Sequence, residues 1–331
     1  AGGPAEAAAA AATGPEVRCA PLHAGQCDVL YAGEGGGSVL TVGADGRLIC
    51  TAPGGASGPA GKAWTHRLSR DAVTAGAVSP DLKWLAVGME IEMSHGAWLF
   101  QLDGKDGRPG IKTQVVARFT LPVRHLGWHP TRPLLGIATD DGKICTWDRE
   151  GGGSSQRPRR QDFGGNSGGA RCLAFDPRGE LLAAAFCGGA LVVFGLDGAE
   201  RFRAGVWPKV VIDTERLQIA WRPDGGALAL PGGSAVRVVP RGDYKSDAAV
   251  LEHGHGHPTT VAAWAVGGEL LATASRDAVA LWRPAGAQLL QVCRPEAEAW
   301  SLLWAGRSLV LGTRSGAWAR LEAPGAPSEA A

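Results

Sequence analysis

Short stretches in which apolar and polar residues alternate recur along the whole chain, and they recur in groups. Three groups align directly: VRHLGWHPTRPLLGIATDDGKICTWD, ARCLAFDPRGELLAAAFCGGALVVFG and LQIAWRPDGGALALPGGSAVRVVP. Each has an alternating strand, a turn with Pro, a strand of small and apolar residues, a Gly-bearing turn and a β-branched strand. The period of two and the β-branched content predict strands rather than helices. Looser copies are TTVAAWAVGGELLATASRDAVALWRP, AWSLLWAGRSLVLGTRSGAWARLE, AVTAGAVSPDLKWLAVGMEIEMSHGAWLFQ and CDVLYAGEGGGSVLTVGADGRLIC. Together they make about seven copies, spaced near the ~40–45 residues of a propeller blade.

The connectors KAWTHRL, QVVARFT, ERFRAG, AAVLEH and LLQVCR supply a fourth strand for most copies. The last copy runs into EAPGAPSEAA, a tail, so its fourth strand has to come from elsewhere. EVRCA, ahead of the first copy, fills that slot and ties the last blade to the chain start. The expected architecture is all-β: a seven-bladed β-propeller over residues 16–322, closed by its N-terminal strand. A radial array of four-stranded sheets leaves only short, protected edges. Residues 1–15 form an Ala- and Gly-rich flexible lead-in, and 323–331 begin a linker or tail. The lead-in has no initiating Met and no secretory pattern, so a longer parent protein is expected.

Composition sharpens this reading. Fifty Gly without a collagen period call for many turns, and twelve Trp suggest one structural position used repeatedly. With 33 basic and 32 acidic residues, nothing global attracts nucleic acid or a membrane surface. No apolar run approaches the ~20 residues of a membrane span. The seven cysteines form no CxxC pair and lie mostly in apolar runs, as buried thiols of a reducing compartment do.

The third strand ends in Trp147-Asp148 in blade three and Trp282-Arg283 in blade six. Phe194 takes that place in blade four, and Phe100 or Trp98 in blade two. This resembles the WD-repeat family, in which a His, a strand Ser or Thr, a turn Asp and the Trp form one hydrogen-bonded set. The blade-six candidates are His255 or His257, Ser275, Asp277 and Trp282; blade three has Thr139, Asp141 and Trp147 without the His. Blades one, four, five and seven depart further, which predicts looser outer edges there. The HGHGH run at 253–257 places His residues on one strand face, where they suit a metal. No Cys or carboxylate cluster accompanies them, and one His is needed by the blade set, so no metal or cofactor is expected. No nucleophile elbow, HExxH, phosphate loop or dinucleotide fingerprint stands in a fitting context, so no enzyme is expected.

The stretch from Trp207 to Leu290 has a distinctive order. A long insertion precedes a blade whose second strand ends at Pro231 and whose third ends in Arg241-Gly242-Asp243-Tyr244; a well-formed WD blade follows. This is similar to the N-terminal propeller of the replisome-hub family, the chromosome transmission fidelity protein four or WD-repeat and HMG-box DNA-binding proteins. The likeness covers roughly Cys27 to Leu321. It implies a nuclear adaptor linking replicative helicase subunits to DNA polymerase α and chromatin, in replication, repair and sister-chromatid cohesion. It implies a homotrimer only through a domain outside this chain. The alternative with the same fold is a substrate receptor or assembly scaffold outside replication, such as a ubiquitin-ligase adaptor.

Two arginine groups are candidates for partner binding. Arg157, Arg159 and Arg160 lie in GGGSSQRPRRQDFGGNSGG, whose composition reads as a mobile loop able to meet DNA phosphates or an acidic partner. Arg124, Arg171 and Arg216 fall near the starts of three successive first strands, so their guanidiniums point toward one channel mouth. There they either offer forks to acidic peptides or phosphate, or pair with a neighbouring blade's acid such as Asp213 or Glu215.

Overall fold

The computed structural model describes residues 16–34, 37–51, 62–91, 94–102, 109–150, 159–163, 168–207, 215–252 and 255–324. Among the described residues these form seven small sheets, antiparallel but for one parallel N-terminal strand, and no helix. Blades one to seven span 27–67, 73–119, 123–163, 170–205, 220–251, 259–295 and 299–322. Each innermost strand packs on the next, and the last, Ala299–Ala305, returns to the first, Cys27–Ala32. The chain is a seven-bladed β-propeller with WD-like repeats.

Its core is divided between the blades. Seven apolar clusters each straddle one pair of neighbours, so every blade buries both faces. This is why second strands such as Leu134–Thr139 are buried at every position instead of alternating. Ala183, Ala184 and Ala185 in Leu181–Phe186 keep that strand thin where blade four is pressed from both sides. The cluster between blades seven and one is the smallest, with only Leu22, Val39, Ile49, Val310 and Trp318 buried in it.

The Trp position that recurs in most blades is the end of the first strand. Trp128 donates its indole N–H to the Ala77 carbonyl at 3.1 Å, Trp221 to Ala174 at 3.1 Å, Trp264 to Ala220 at 3.1 Å and Trp304 to Ala263 at 2.9 Å. Each bond runs from one blade to the inner strand of the blade before it. In blade four Phe175 stands at this position and has no N–H to give. There His129 of blade three crosses instead. Its Nδ1 accepts from the Thr131 and Arg132 amides, so its Nε2–H donates to Gly179 of blade four at 3.0 Å.

The N-terminal segment closes the ring, but it serves two blades. Glu16–Val17 adds in parallel to Gln288–Pro295, giving blade six a fifth strand. Ala20–Pro21 then pairs antiparallel with Ala317–Glu322 and becomes the fourth strand of blade seven. The amides of Leu22 and His23 both reach the Gly316 carbonyl, at 3.0 and 2.9 Å. Beyond them the His23 ring enters blade one, where Nδ1 meets Asp45 and Nε2 meets Thr41, both at 3.0 Å. Blade one therefore carries a His–Thr–Asp set, against the expectation of a loose edge there. On the channel side of the same seam, Ser301 accepts from the Val29 amide at 3.0 Å and donates to the Cys27 carbonyl at 2.9 Å.

Two substitutions test these joints. Trp304→Phe keeps an aromatic ring in the wedge but removes the donor, and is expected to cost about 2 kcal/mol. Urea unfolding checks it: a lower midpoint at unchanged slope is expected, and an unmoved midpoint would deny the bond its role. In Gly43→Ala the added carbon falls 2.4 Å from the His23 ring. Trypsin should then cleave at Arg18 faster than in the wild type, because the strap loses its anchor.

Candidate binding face and polar sets

In blade six, strand geometry assembles the expected set with one change of partner. Leu271–Ser275 lies beside Val279–Arg283, and alternate residues of the first face the preceding connector. His255 takes both hydroxyls: Nδ1 is 3.0 Å from Ser275 and Nε2 is 2.7 Å from Thr273. Ser275 donates to Asp277 at 2.8 Å, and buried Trp282 donates to Thr273 at 2.8 Å. The hydroxyl that joins His to Trp is thus Thr273, not Ser275, and His257 stays exposed. With both ring nitrogens engaged, His255 has no lone pair left for a metal. Burial, partly offset by the charge of Asp277, pushes its pKa down to about 4, so the ring is neutral near pH 7.

Blade three is incomplete in the way the sequence indicated. Thr139 donates to Asp141, which also holds Lys143. Trp147 is buried in the wedge with blade two beside Ile137, an apolar residue where blade six has Thr273. In blade two the register puts Phe100, not Trp98, opposite the Leu85 position that Trp147 and Phe194 face in their blades.

The three channel-mouth arginines are all paired within the ring. Asp140 bridges Arg124 and Arg171, at 2.7 Å to each, and so links blades three and four. Burial pushes the Asp140 carboxyl up, but the bonds and charges of both arginines outweigh it and hold its pKa below the ordinary value. Arg216 reaches across the channel to Asp28 of blade one at 3.1 Å and over the Trp300 ring of blade seven at 5.6 Å. Its neighbour Glu215 pairs not with these arginines but with Arg314 of blade seven at 2.6 Å. Asp213 lies outside the described residues. The segment entering blade five therefore lies over the channel, and these charges are neutralised inside the molecule. His125 faces the same cluster, and burial plus the charge of Arg216 takes its pKa down to about 3.

The basic connector is not all loop. Arg159–Phe163 is the fourth strand of blade three, paired with Ile144–Asp148. Its polar sequence reflects an outermost strand facing solvent. Arg160 lies 2.7 Å from Asp162 and packs over the Phe119 ring of blade two at 5.2 Å. Arg157 lies outside the described residues. The motif after blade five's third strand is a clamp on blade four: Arg241 holds Asp176 and Glu180, and buried Tyr244 packs on Phe202 and Trp221. All seven cysteines are free, and four of them are buried.

Compared with known proteins, the chain matches no family model, and no curated protein matches it.

Acid should expose the His255 set. An unfolded chain protonates this imidazole near pH 6.5, the folded one only near 4, so protons favour unfolding. Its contribution is whole above about pH 6.5 and is lost as the pH falls toward 4, about 3 kcal/mol at the limit. Melting temperature against pH should fall less steeply across this window in His255→Asn than in the wild type.

Proposed function

We propose that this propeller is a non-enzymatic platform for docking other proteins. The observation that carries this is the way the ring spends its strongest charges on itself. Arg171, Arg216 and Arg241 are paired across blades, and Arg124 shares Asp140 with Arg171, which makes a rigid body whose faces and outer edges remain for partners. Rigid propellers suit presentation of surfaces rather than closure over a substrate.

The finer reading is the N-terminal module of a nuclear replisome adaptor, coupling replicative helicase subunits to DNA polymerase α and chromatin. Its support is the order of features around blade five. The first strand is reduced to Ala220–Trp221, and residues before it lean on blade six, where Gln218 bridges Val261. Pro231 ends the second strand and gives its carbonyl to the Trp207 indole at 2.7 Å; the Arg241–Tyr244 clamp and a complete WD blade follow.

The tagged propeller, incubated with nuclear extract, should retain DNA polymerase α and helicase subunits. Retention of ubiquitin-ligase subunits in their place would reject the replication reading and keep the platform. Retention of neither set would reject both.

A further inference from the structure

With the three channel-mouth arginines paired, a cationic hollow stands open at the outer cleft between blades two and three. A hollow of about 240 Å3 is lined there by Arg118, Phe119, Thr120, Lys143 and Arg160. Arg118 is exposed and has no acidic partner among the described residues. Arg160 is oriented by the Phe119 ring beneath it. Lys143 and Arg160 touch Asp141 and Asp162, but both cations remain open to solvent, at 55% and 37% exposure. Exposed pairs of this kind hold only about 0–1 kcal/mol, so a stronger anion can exchange with them.

We propose that this hollow binds the phosphoryl group of an extended phosphopeptide. Three cations from three separate segments line this one hollow, a match for a dianion with three acceptor oxygens rather than for a single carboxylate. The volume is below the ~300–1,000 Å3 of small-molecule pockets, so the occupant is the size of one side chain. A duplex would need cations spread along successive phosphates, and here they share one hollow. Two neighbouring features fit a peptide. Pro109–Phe119 is an outermost strand whose outer edge, unpaired among the described residues, offers backbone groups to an added strand and ends in the hollow. Leu121, just beyond it, is 40% exposed and gives an apolar side chain a surface.

This rests on the platform reading but not on the replisome assignment. The test measures binding of a degenerate phosphoserine peptide library, its unphosphorylated counterpart and a short DNA duplex to the propeller. Phosphopeptides should be enriched, and the best of them should bind at least about tenfold more tightly than its unphosphorylated form. Arg118→Gln and Arg160→Gln should each erase about that tenfold, while Arg283→Gln in blade six leaves it intact. Arg118 is exposed, so its variant should keep the wild-type melting temperature. No enrichment, or enrichment insensitive to both hollow variants, overturns the proposal. So does a DNA affinity that those variants abolish while phosphopeptide fails to compete. If both variants still retain the partners captured from nuclear extract and phosphopeptides fail, the hollow is rejected and the platform stands.

Discussion

The wedge of apolar side chains between adjacent blades is the interaction on which every other feature rests. No single blade has a core of its own; each sheet is too thin to bury more than its neighbours allow. Burial on both faces explains the continuous apolar second strands and the small residues within them. It also explains why an indole N–H is worth placing at the end of the first strand. There the inner strands of two blades converge, and a carbonyl of the preceding blade would otherwise face apolar surroundings.

A ring of such wedges has one joint that chain connectivity does not supply, and it falls between blades seven and one. That joint has the smallest apolar cluster, and polar contacts fasten it as well. Ser301 ties the inner strands, the strap at Ala20–Pro21 completes the outer edge, and His23 carries the strap into blade one. The channel mouth is fastened by the same logic, with acids and arginines from non-adjacent blades pairing across it. Charges used in this way hold the ring, and the outer cleft between blades two and three is one of the places where cations face solvent.

Much of this was legible in the sequence, because period-two alternation and recurring turns report strand and blade directly. The Trp282 set is legible in outline, with Ser275 joining His255 to Asp277; the second hydroxyl, Thr273, which joins His255 to Trp282, lies on the same strand face and is not marked by the pattern. The His23 set follows the same 18- and 22-residue spacings as blade six and the same four-residue lead on the first strand, but Leu22 rather than Gly precedes His23, so a search for a Gly-His pair passes over it. The inter-blade indoles could have been seen, since Trp128, Trp221, Trp264 and Trp304 each close a first strand. The ion pairs could not. Whether Asp140 or Asp141 meets Arg124, and whether Arg216 meets Glu215 or Asp28, depends on a ring geometry that no local pattern encodes. The strand Arg159–Phe163 was hidden because a solvent-facing outer strand needs no apolar alternation.

The central claim is that seven apolar wedges hold the ring and that the one between blades seven and one is the weakest. Hydrogen–deuterium exchange under mild denaturant, resolved by segment, tests it most directly. The account predicts that residues 16–23 and the strand Cys27–Ala32 lose protection together and first, while Leu134–Thr139 and Leu181–Phe186 hold until global unfolding. Earlier opening at any other joint, or exchange of all inner strands in one step, would contradict it.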